Sequence, residues 1–208
     1  MTKADHGIVP AAAASGARQA LAPLVRVLAA AGLSPNDVTI GGALLSLAGA
    51  MALVALGPLP GLALLLLGAA ADALDGQLAR ETGRISTYGG FLDSTLDRLS
   101  DAAPLLAAVL LATARGDVVL AAVALVALTA GFLVSYTRAK AESLGLDARV
   151  GLAPREARTM LLLLGVALWW VTGALAAFTL TITISGLLAG ITVVQRIAHV
   201  SRQGDRNS

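Results

Sequence analysis

The segments 72–80 (DALDGQLAR) and 89–97 (GGFLDSTLD) place four aspartates at fixed spacing inside otherwise apolar sequence. Asp72 and Asp75 are three residues apart, and Asp93 and Asp97 are four apart, so each pair shares one face of a helix. An acid at the centre of a membrane helix costs roughly 2.5–3.5 kcal/mol on insertion scales. Carboxylate oxygens are the ligands that hard divalent cations such as Mg²⁺ prefer. The spacing therefore predicts a cation site rather than scattered surface charge.

The composition is that of an integral membrane protein. Hydrophobic residues make up 57% of the chain and charged residues 13%, whereas a soluble domain carries about 25% charged residues. A formal net charge of +2 is too small to indicate nucleic acid as a partner. The chain has no cysteine, which excludes disulfides and thiol chemistry. Residues 1–14 lack the apolar core of a secretory signal.

Apolar runs long enough to cross a bilayer, which takes about 20 residues, recur along the chain. We predict six spans, at 38–56, 61–78, 89–114, 118–137, 159–175 and 178–194. Ahead of them, residues 11–31 combine Arg18 and Arg26 with an Ala/Leu-rich pattern, which predicts an amphipathic helix in the membrane interface. An ordinary cytosolic helix is the alternative. The predicted fold class is therefore an all-α integral membrane protein, with one interfacial helix and a six-helix core over 38–200. Residues 1–208 are expected to form a single domain.

Basic residues set the orientation of this topology. With six spans, the basic residues of the loops and termini fall on one side of the membrane, apart from Arg115. The positive-inside rule makes that side cytoplasmic. We therefore expect a multi-pass protein of the cell membrane, with both termini and the four aspartates at the cytoplasmic face.

The loop between the two aspartate pairs is short, so the predicted helices are antiparallel neighbours whose carboxylates converge on one or two cations. Gly76 and Gly89 remove side-chain bulk beside them and allow a ligand to approach closely. Arg80 offers a planar fork suited to phosphate. The alternative is that the acids complement a helix N-terminus and pair with Arg80 and Arg98, which explains fewer of these features. Asp101 lies one helical turn after Asp97, and the sequence leaves open whether it supports the site.

The pattern D-x2-D-G-x2-A-R-x8-G-x3-D-x3-D resembles the signature of the CDP-alcohol phosphotransferases. These membrane enzymes, typically homodimers, displace CMP from a CDP-linked lipid with the hydroxyl of a polar alcohol. The chain matches each defined position of the signature: Asp72, Asp75, Gly76, Ala79, Arg80, Gly89, Asp93 and Asp97. The resemblance implies membrane lipid, CDP-diacylglycerol or a similar CDP-lipid, and a second copy of the chain as partners.

The resemblance also implies roles for individual residues. Asp72, Asp75 and Asp93 would hold Mg²⁺ (or Mn²⁺) on the diphosphate. Asp97 would be the general base for the acceptor hydroxyl and a further candidate metal ligand. The residues implied to contact the CDP-lipid are Asn36, Asp37, Val38, Thr39, Gly76, Ala79, Arg80, Ser86 and Gly89.

A second cationic cluster bears on the acceptor, because several arginines beside a metal site would bind an alcohol that carries its own phosphate. The positive-inside rule alone also places arginines there. More narrowly, segments 135–142 (SYTRAKAE) and 151–158 (GLAPREAR) resemble those of phosphatidylinositol-phosphate and archaetidylinositol-phosphate synthases. Arg138 and Lys140 depart from that pattern by exchanging the two basic types, and Pro154 now precedes Arg155. The implied acceptor-phosphate contacts are Ser135, Arg138, Arg155, Arg158 and Arg196.

The aspartate and arginine patterns indicate one of three functions. The first transfers a phosphatidyl group from CDP-diacylglycerol (or CDP-archaeol) to myo-inositol phosphate. The second uses glycerol-3-phosphate instead and gives phosphatidylglycerophosphate. The third is a cation transporter, whose ion site would lie near the bilayer midplane, in many cases between inverted repeats; here the acids sit at helix ends on one side.

Overall fold

The computed structural model describes the backbone of residues 11–207 and the side chains of residues 21–203. Over this part the chain forms seven helices: α1 (Ala11–Ala30), α2 (Pro35–Ala55), α3 (Pro58–Thr82), α4 (Thr87–Arg115), α5 (Val118–Ser143), α6 (Arg155–Thr172) and α7 (Leu175–Asn207). The predicted all-α class is confirmed. Lys3, Arg18 and Arg206 are among the basic residues on which the predicted orientation rests. Their side chains lie outside the described residues.

The turn between α3 and α4 is fixed by its end residues. Gly83 ends α3 with a left-handed φ of 67°, a conformation that costs glycine little. Ser86 then caps α4 by accepting a hydrogen bond from the Gly89 amide at 2.9 Å. The two helices therefore meet at the ends that carry the aspartates. Along the rest of their length both pack mainly against α2, and they contact each other little.

Within the part of the chain that the structure describes, four helices are long and apolar enough to cross a membrane by length and composition, namely α2, α3, α5 and α7. The first half of α4 carries Asp93, Asp97, Arg98 and Asp101. In α6, three charges fall within its first four residues. Both helices thus have an apolar segment shortened by charge at one end. The fold is that of a helical membrane protein, and six spans remains our prediction.

Small residues allow close packing of α2 against α3. A Cβ atom added at Gly49 would lie 2.9 Å from the backbone nitrogen of Leu65 and 3.1 Å from the carbonyl oxygen of Gly61. At Gly42 an added Cβ would lie 2.9 Å from the Ala71 Cβ. Small side chains at such contacts let membrane helices approach closely. This packing holds α3, and with it two of the aspartates, firmly against α2.

We expect Gly49→Ala to destabilise the protein by about 1–3 kcal/mol, because overpacking a tight contact outweighs the gain in helix propensity. Gly41→Ala is the matched control, since nothing lies within 4 Å of a Cβ at that position of the same helix. The measurement is the thermal unfolding midpoint of both variants in detergent. A midpoint for Gly49→Ala equal to or above that of Gly41→Ala would contradict this packing.

The described part of α1 is amphipathic. Val25 is fully buried and packs, with Leu21 and Leu28, on a cluster contributed by α2 and α3. Leu24 and Val27 on the other side are exposed. This is the pattern expected of a helix that lies on the bundle with its other face free.

Candidate active site

Three carboxylates converge where α3 ends and α4 begins. Asp72, Asp75 and Asp93 each offer an oxygen, and these oxygens lie within 4.8 Å of one another. A hard cation with metal–oxygen distances of about 2.0–2.6 Å can bridge oxygens at this separation. The donor set is all oxygen, as Mg²⁺, Mn²⁺ and Ca²⁺ require. The geometry therefore fits a divalent cation held by two residues of α3 and one of α4.

Asp75 is oriented from the neighbouring helix. The Thr39 hydroxyl donates a hydrogen bond to Asp75 Oδ2 at 2.7 Å, and both residues are buried. Thr39 Oγ1 also lies 3.0 Å from the carbonyl oxygen of Pro35, in the first turn of α2. Hydrogen bonds of this kind fix the orientation of metal-ligating carboxylates. The family resemblance implied that Thr39 contacts the CDP-lipid. In the structure, Thr39 supports a candidate metal ligand.

We expect Thr39→Val to weaken divalent-cation binding by about 10–100-fold, the usual loss when a supporting partner of a ligand is removed. The side chain keeps its size, so packing is little changed. Thr129→Val is the matched control, because the Thr129 hydroxyl bonds only to a carbonyl of its own helix. Titration of Mn²⁺ by electron paramagnetic resonance measures the effect. Equal affinities in the two variants would rule out this support.

Asp97 faces a different partner. Arg155, the first residue of α6, places its three guanidinium nitrogens on three carboxylates: Nη1 lies 3.0 Å from Asp72 Oδ2, Nη2 lies 2.8 Å from Asp97 Oδ1, and Nε lies 3.1 Å from Asp101 Oδ1. The arginine thereby compensates acids that would otherwise repel one another. Asp97 is not among the three carboxylates that converge within 4.8 Å, whereas Asp72 belongs both to that group and to the partners of Arg155.

From the sequence, Arg98 was expected only as a counter-ion of an aspartate. In the structure it links Asp97 and Ser135, two predicted site residues. One terminal nitrogen lies 3.5 Å from Asp97 Oδ2, and the other donates to the Ser135 hydroxyl. The structure therefore brings Ser135 of α5 next to the aspartates of α4. In the sequence, Arg98 directly follows Asp97, so the two side chains are about 100° apart around the helix axis. That neighbourhood was the only sign in the sequence that Arg98 belongs to the site.

A cavity of about 350 Å³ opens beside these groups. Its apolar walls come from α3, α4, α5 and α6. Its polar end is lined by Asp72, Arg98, Asp101, Arg155, Glu156 and Arg158. A cavity with charged groups at one end and apolar walls elsewhere can receive a molecule with a phosphate group. Three arginines among these residues supply guanidinium donors for such a ligand, and the three acids balance their charge.

The five residues predicted to bind acceptor phosphate are divided by the structure. Arg155 and Arg158 line the cavity, and Ser135 reaches it through Arg98. The exposed Arg138 side chain instead bonds Glu142 at 2.9 Å. Arg196 is buried and donates to the carbonyl oxygens of Val150, at 2.9 Å, and Val134. Arg196 therefore fastens α7 to the loop after α5 and to α5 itself.

Part of the predicted CDP-lipid set meets at the start of α4. A Cβ atom added at Gly89 would lie 3.0 Å from Ser86 Oγ and 3.2 Å from Asn36 Oδ1. The absence of a side chain at Gly89 thus leaves a small polar cradle between α2 and α4. At Gly76, the nearest atom to an added Cβ is a terminal nitrogen of Arg80, at 3.5 Å. Gly76 and the exposed Arg80 therefore border open space beside Asp75.

The other residues of that set have structural contacts. The Asp37 carboxylate accepts a hydrogen bond from the Ser34 amide at 2.8 Å as part of the cap of α2. Val38 is buried against α1 and α3. The Ala79 carbonyl accepts a hydrogen bond from the Arg84 amide at 3.1 Å at the end of α3. These contacts shape the ends of α2 and α3 that border the site.

Known proteins resemble this chain over most of its length. The CDP-alcohol phosphatidyltransferase family matches residues 32–194. Archaetidylinositol phosphate synthase of Pyrococcus horikoshii is 33% identical over 187 residues, which cover 89% of this chain and 93% of that protein. The range matched to the family contains both aspartate segments and the helices that carry them.

Solved structures agree. Mycobacterium tuberculosis phosphatidylinositol phosphate synthase with CDP-DAG (CDP-diacylglycerol) bound superposes with a TM-score of 0.79 at 31% identity, over 86% of this chain and 92% of that one. Its complex with manganese and citrate gives a TM-score of 0.78 at 30% identity, over 86% of this chain and 87% of that one. With the aspartate cluster and the family match in agreement, this chain is a multi-pass membrane enzyme that belongs to the CDP-alcohol phosphatidyltransferase family.

Proposed function

We propose that this enzyme transfers the phosphatidyl group of CDP-diacylglycerol (or CDP-archaeol) to myo-inositol phosphate, forming a phosphatidylinositol-phosphate-type lipid and CMP. One observation carries the proposal: a cavity with three arginines at its polar end opens directly beside the aspartate cluster. The names of the similar proteins, which are synthases of inositol-phosphate lipids, support the same acceptor.

Asp72, Asp75 and Asp93 are the residues that would hold the cation, Mg²⁺ or Mn²⁺. When bound there, the cation neutralises charge on the diphosphate of the CDP-lipid. Asp97 lies beside this cluster and at the edge of the arginine pairs. A carboxylate so placed can accept a proton from an alcohol, which typically contributes 10²–10⁴-fold to a rate.

The proposed transfer is a substitution at the lipid-side phosphorus. The acceptor hydroxyl oxygen forms a bond to the lipid-side phosphorus of the diphosphate, and the bond from that phosphorus to the bridging oxygen breaks. CMP leaves with that oxygen, and the hydroxyl proton passes to Asp97. The chain has to align the two substrates and exclude water, because positioning and charge neutralisation carry most of phosphoryl-transfer catalysis.

The CDP moiety would lie between the start of α4 and the end of α3. Asn36, Ser86 and Gly89 form the polar cradle on one side, and Gly76 with Arg80 forms the other. Thr39, Asp37, Val38 and Ala79 shape the helix ends around it. A backbone without side chains at the two glycines leaves room for the nucleotide and its phosphates.

The acceptor phosphate would bind in the cavity against Arg155 and Arg158, with Ser135 beside them through Arg98. Arg138 and Arg196 belong to the same proposal at the rim, where acceptor binding would draw them from Glu142 and from the loop carbonyls. Glycerol-3-phosphate is the alternative acceptor, because it is also a phosphorylated alcohol and would use the same guanidinium groups.

The proposed setting is the cell membrane. Six spans, with α4 and α6 completing the four apolar helices, would put both termini and the aspartates on one side, which the positive-inside rule makes cytoplasmic. We propose that residues 1–208 act as one membrane domain and that the enzyme is a homodimer.

A competition experiment tests the acceptor. Purified protein receives CDP-diacylglycerol, Mg²⁺ and equal concentrations of myo-inositol-1-phosphate and glycerol-3-phosphate, and mass spectrometry identifies the lipid product. We expect the phosphatidylinositol phosphate product to dominate. Phosphatidylglycerophosphate as the main product would keep the aspartate chemistry and replace the acceptor.

A further inference from the structure

Arg155 is enclosed by carboxylates rather than open to a ligand. Each of its guanidinium nitrogens has a carboxylate partner on α3 or α4, at 2.8–3.1 Å, and its side chain is 25% exposed. An arginine held in this way by Asp72, Asp97 and Asp101 cannot offer its fork to an acceptor phosphate at the same time. One of these contacts has to open before the residue can serve that purpose.

Asp72 connects this arginine to the cation site. It is one of the three carboxylates that converge within 4.8 Å, and it also bonds Arg155 Nη1 through both oxygens, at 3.0 Å and 3.3 Å. A divalent cation and a guanidinium attract the same carboxylate charge and repel each other. Occupation of the cluster by a cation therefore weakens the contact between Asp72 and Arg155.

Asp101 lies on the other side of the guanidinium and outside the cation cluster. It accepts the Arg155 Nε at 3.1 Å, and the Thr159 hydroxyl lies 3.5 Å from the same oxygen. Its charge is therefore available to Arg155 whether or not a cation is bound. This contact retains the arginine at the polar end of the cavity when its hold on Asp72 is released.

We propose that Arg155 is the resident counter-ion of the aspartate cluster, positioned by Asp101, and that a divalent cation displaces it from Asp72 toward the cavity. Cation binding and the presentation of a guanidinium to a phosphate-bearing acceptor are then coupled events. Such coupling acts in both directions and typically changes affinities about 5–150-fold. The inference rests on the proposed function for the identity of the cation ligands.

The first test measures cation affinity in the absence of substrates. Mn²⁺ is titrated into the full-length protein in detergent and followed by electron paramagnetic resonance. We expect Arg155→Gln to bind Mn²⁺ about tenfold more tightly than wild type, within the usual range of such couplings. Arg155→Lys should lie between the two, because it keeps the charge without the three-way fork.

Arg149→Gln is the matched control. It removes the same charge from a loop, where the Arg149 side chain is exposed and pairs with Asp147 at 3.1 Å. The Mn²⁺ affinity of this variant should equal that of wild type. An affinity of Arg155→Gln equal to or weaker than wild type overturns the proposal. A parallel shift in Arg149→Gln does so too, because the effect would then reflect overall charge.

The second test needs no substitution at Arg155. Phenylglyoxal modifies accessible guanidinium groups, and peptide mass spectrometry reports the extent at Arg155. We expect modification of wild type to rise several-fold when Mn²⁺ is added. Without Mn²⁺, Asp101→Asn should be modified as little as wild type, because Asp72 and Asp97 still hold the guanidinium. Modification that Mn²⁺ leaves unchanged in wild type overturns the proposal. Neither test measures CMP release, so the proposed function can fail while this coupling is observed, and the reverse.

Discussion

Asp97→Asn should reduce CMP release by about 10²–10⁴-fold, the usual contribution of a general base, while CDP-lipid binding changes little. The amide has nearly the same shape as the carboxylate but does not take up the acceptor proton. Asp97 also lies outside the three carboxylates that converge on the candidate cation position. Its loss should therefore leave the groups that bind the diphosphate in place. The measurements are CMP release under substrate saturation and equilibrium binding of CDP-diacylglycerol.

Asp147→Asn is the matched control for this substitution. Hydrogen bonds from Arg149 lower the pKa of Asp147 to about 2, so the control also removes an ionised carboxylate at neutral pH. It lies in the loop between α5 and α6, where its side chain bonds Arg149. We expect CMP release within twofold of wild type, a difference worth only about 0.4 kcal/mol. A rate for Asp97→Asn within tenfold of this control would remove Asp97 from the role of base.

Asp75→Asn is expected to have the second large effect, on the cation. Asp75 is one of three converging carboxylates, and its described contact is with Thr39 rather than with Arg155. The substitution therefore takes away a metal ligand and leaves the ion pairs of Arg155 intact. We expect Mn²⁺ affinity to fall by more than about 100-fold, beyond the loss of about 10–100-fold for a supporting residue.

The Mg²⁺ dependence of CMP release should move in the same direction, toward much higher concentrations. Asp147→Asn again serves as the control, with an unchanged Mn²⁺ affinity. If Asp75→Asn binds Mn²⁺ as wild type does, the cation lies elsewhere. Asp72→Asn is less informative for this purpose, because it also removes one of the three ion pairs of Arg155.

Local spacing was enough to predict where the aspartates converge. The i, i+3 and i, i+4 intervals put each pair on one helix face, and the short loop between the pairs brings those faces together. Asp72, Asp75 and Asp93 meet as expected. Asp97 is not one of the three carboxylates that converge within 4.8 Å. It pairs with Arg155 of α6, a contact that depends on how distant helices pack, and its role as a further metal ligand stays a prediction.

The helix ends were predicted less well than the apolar segments. The fifth helix continues to Ser143 and the seventh to Asn207, well beyond the predicted spans at 118–137 and 178–194. Hydropathy reports the part of a helix that matches the hydrocarbon core, whereas the helix itself continues into the polar interface as long as its backbone bonds are made. The polar ends beyond those spans carry Arg138 and Arg196, two of the predicted acceptor-phosphate contacts.

The arginines show a further difference. Their position at helix ends on the predicted cytoplasmic side predicted a phosphate pocket for all of them, and Arg155 and Arg158 do line the cavity. Arg196 instead satisfies carbonyl groups of the loop after α5 and of α5 itself. Irregular loops contain carbonyls that no helix bonds, and buried ones have to find a donor. Sequence periodicity does not show which arginine will provide it.

The most direct measurement is CMP release by the purified protein with CDP-diacylglycerol and Mg²⁺, comparing myo-inositol-1-phosphate with free myo-inositol. Free inositol has the same ring hydroxyls but lacks the phosphate that the arginine-lined end of the cavity would bind. We expect rapid, cation-dependent release with inositol phosphate and little with inositol. Equal release with both would contradict a phosphate-binding cavity, and no release with either would contradict the proposed reaction.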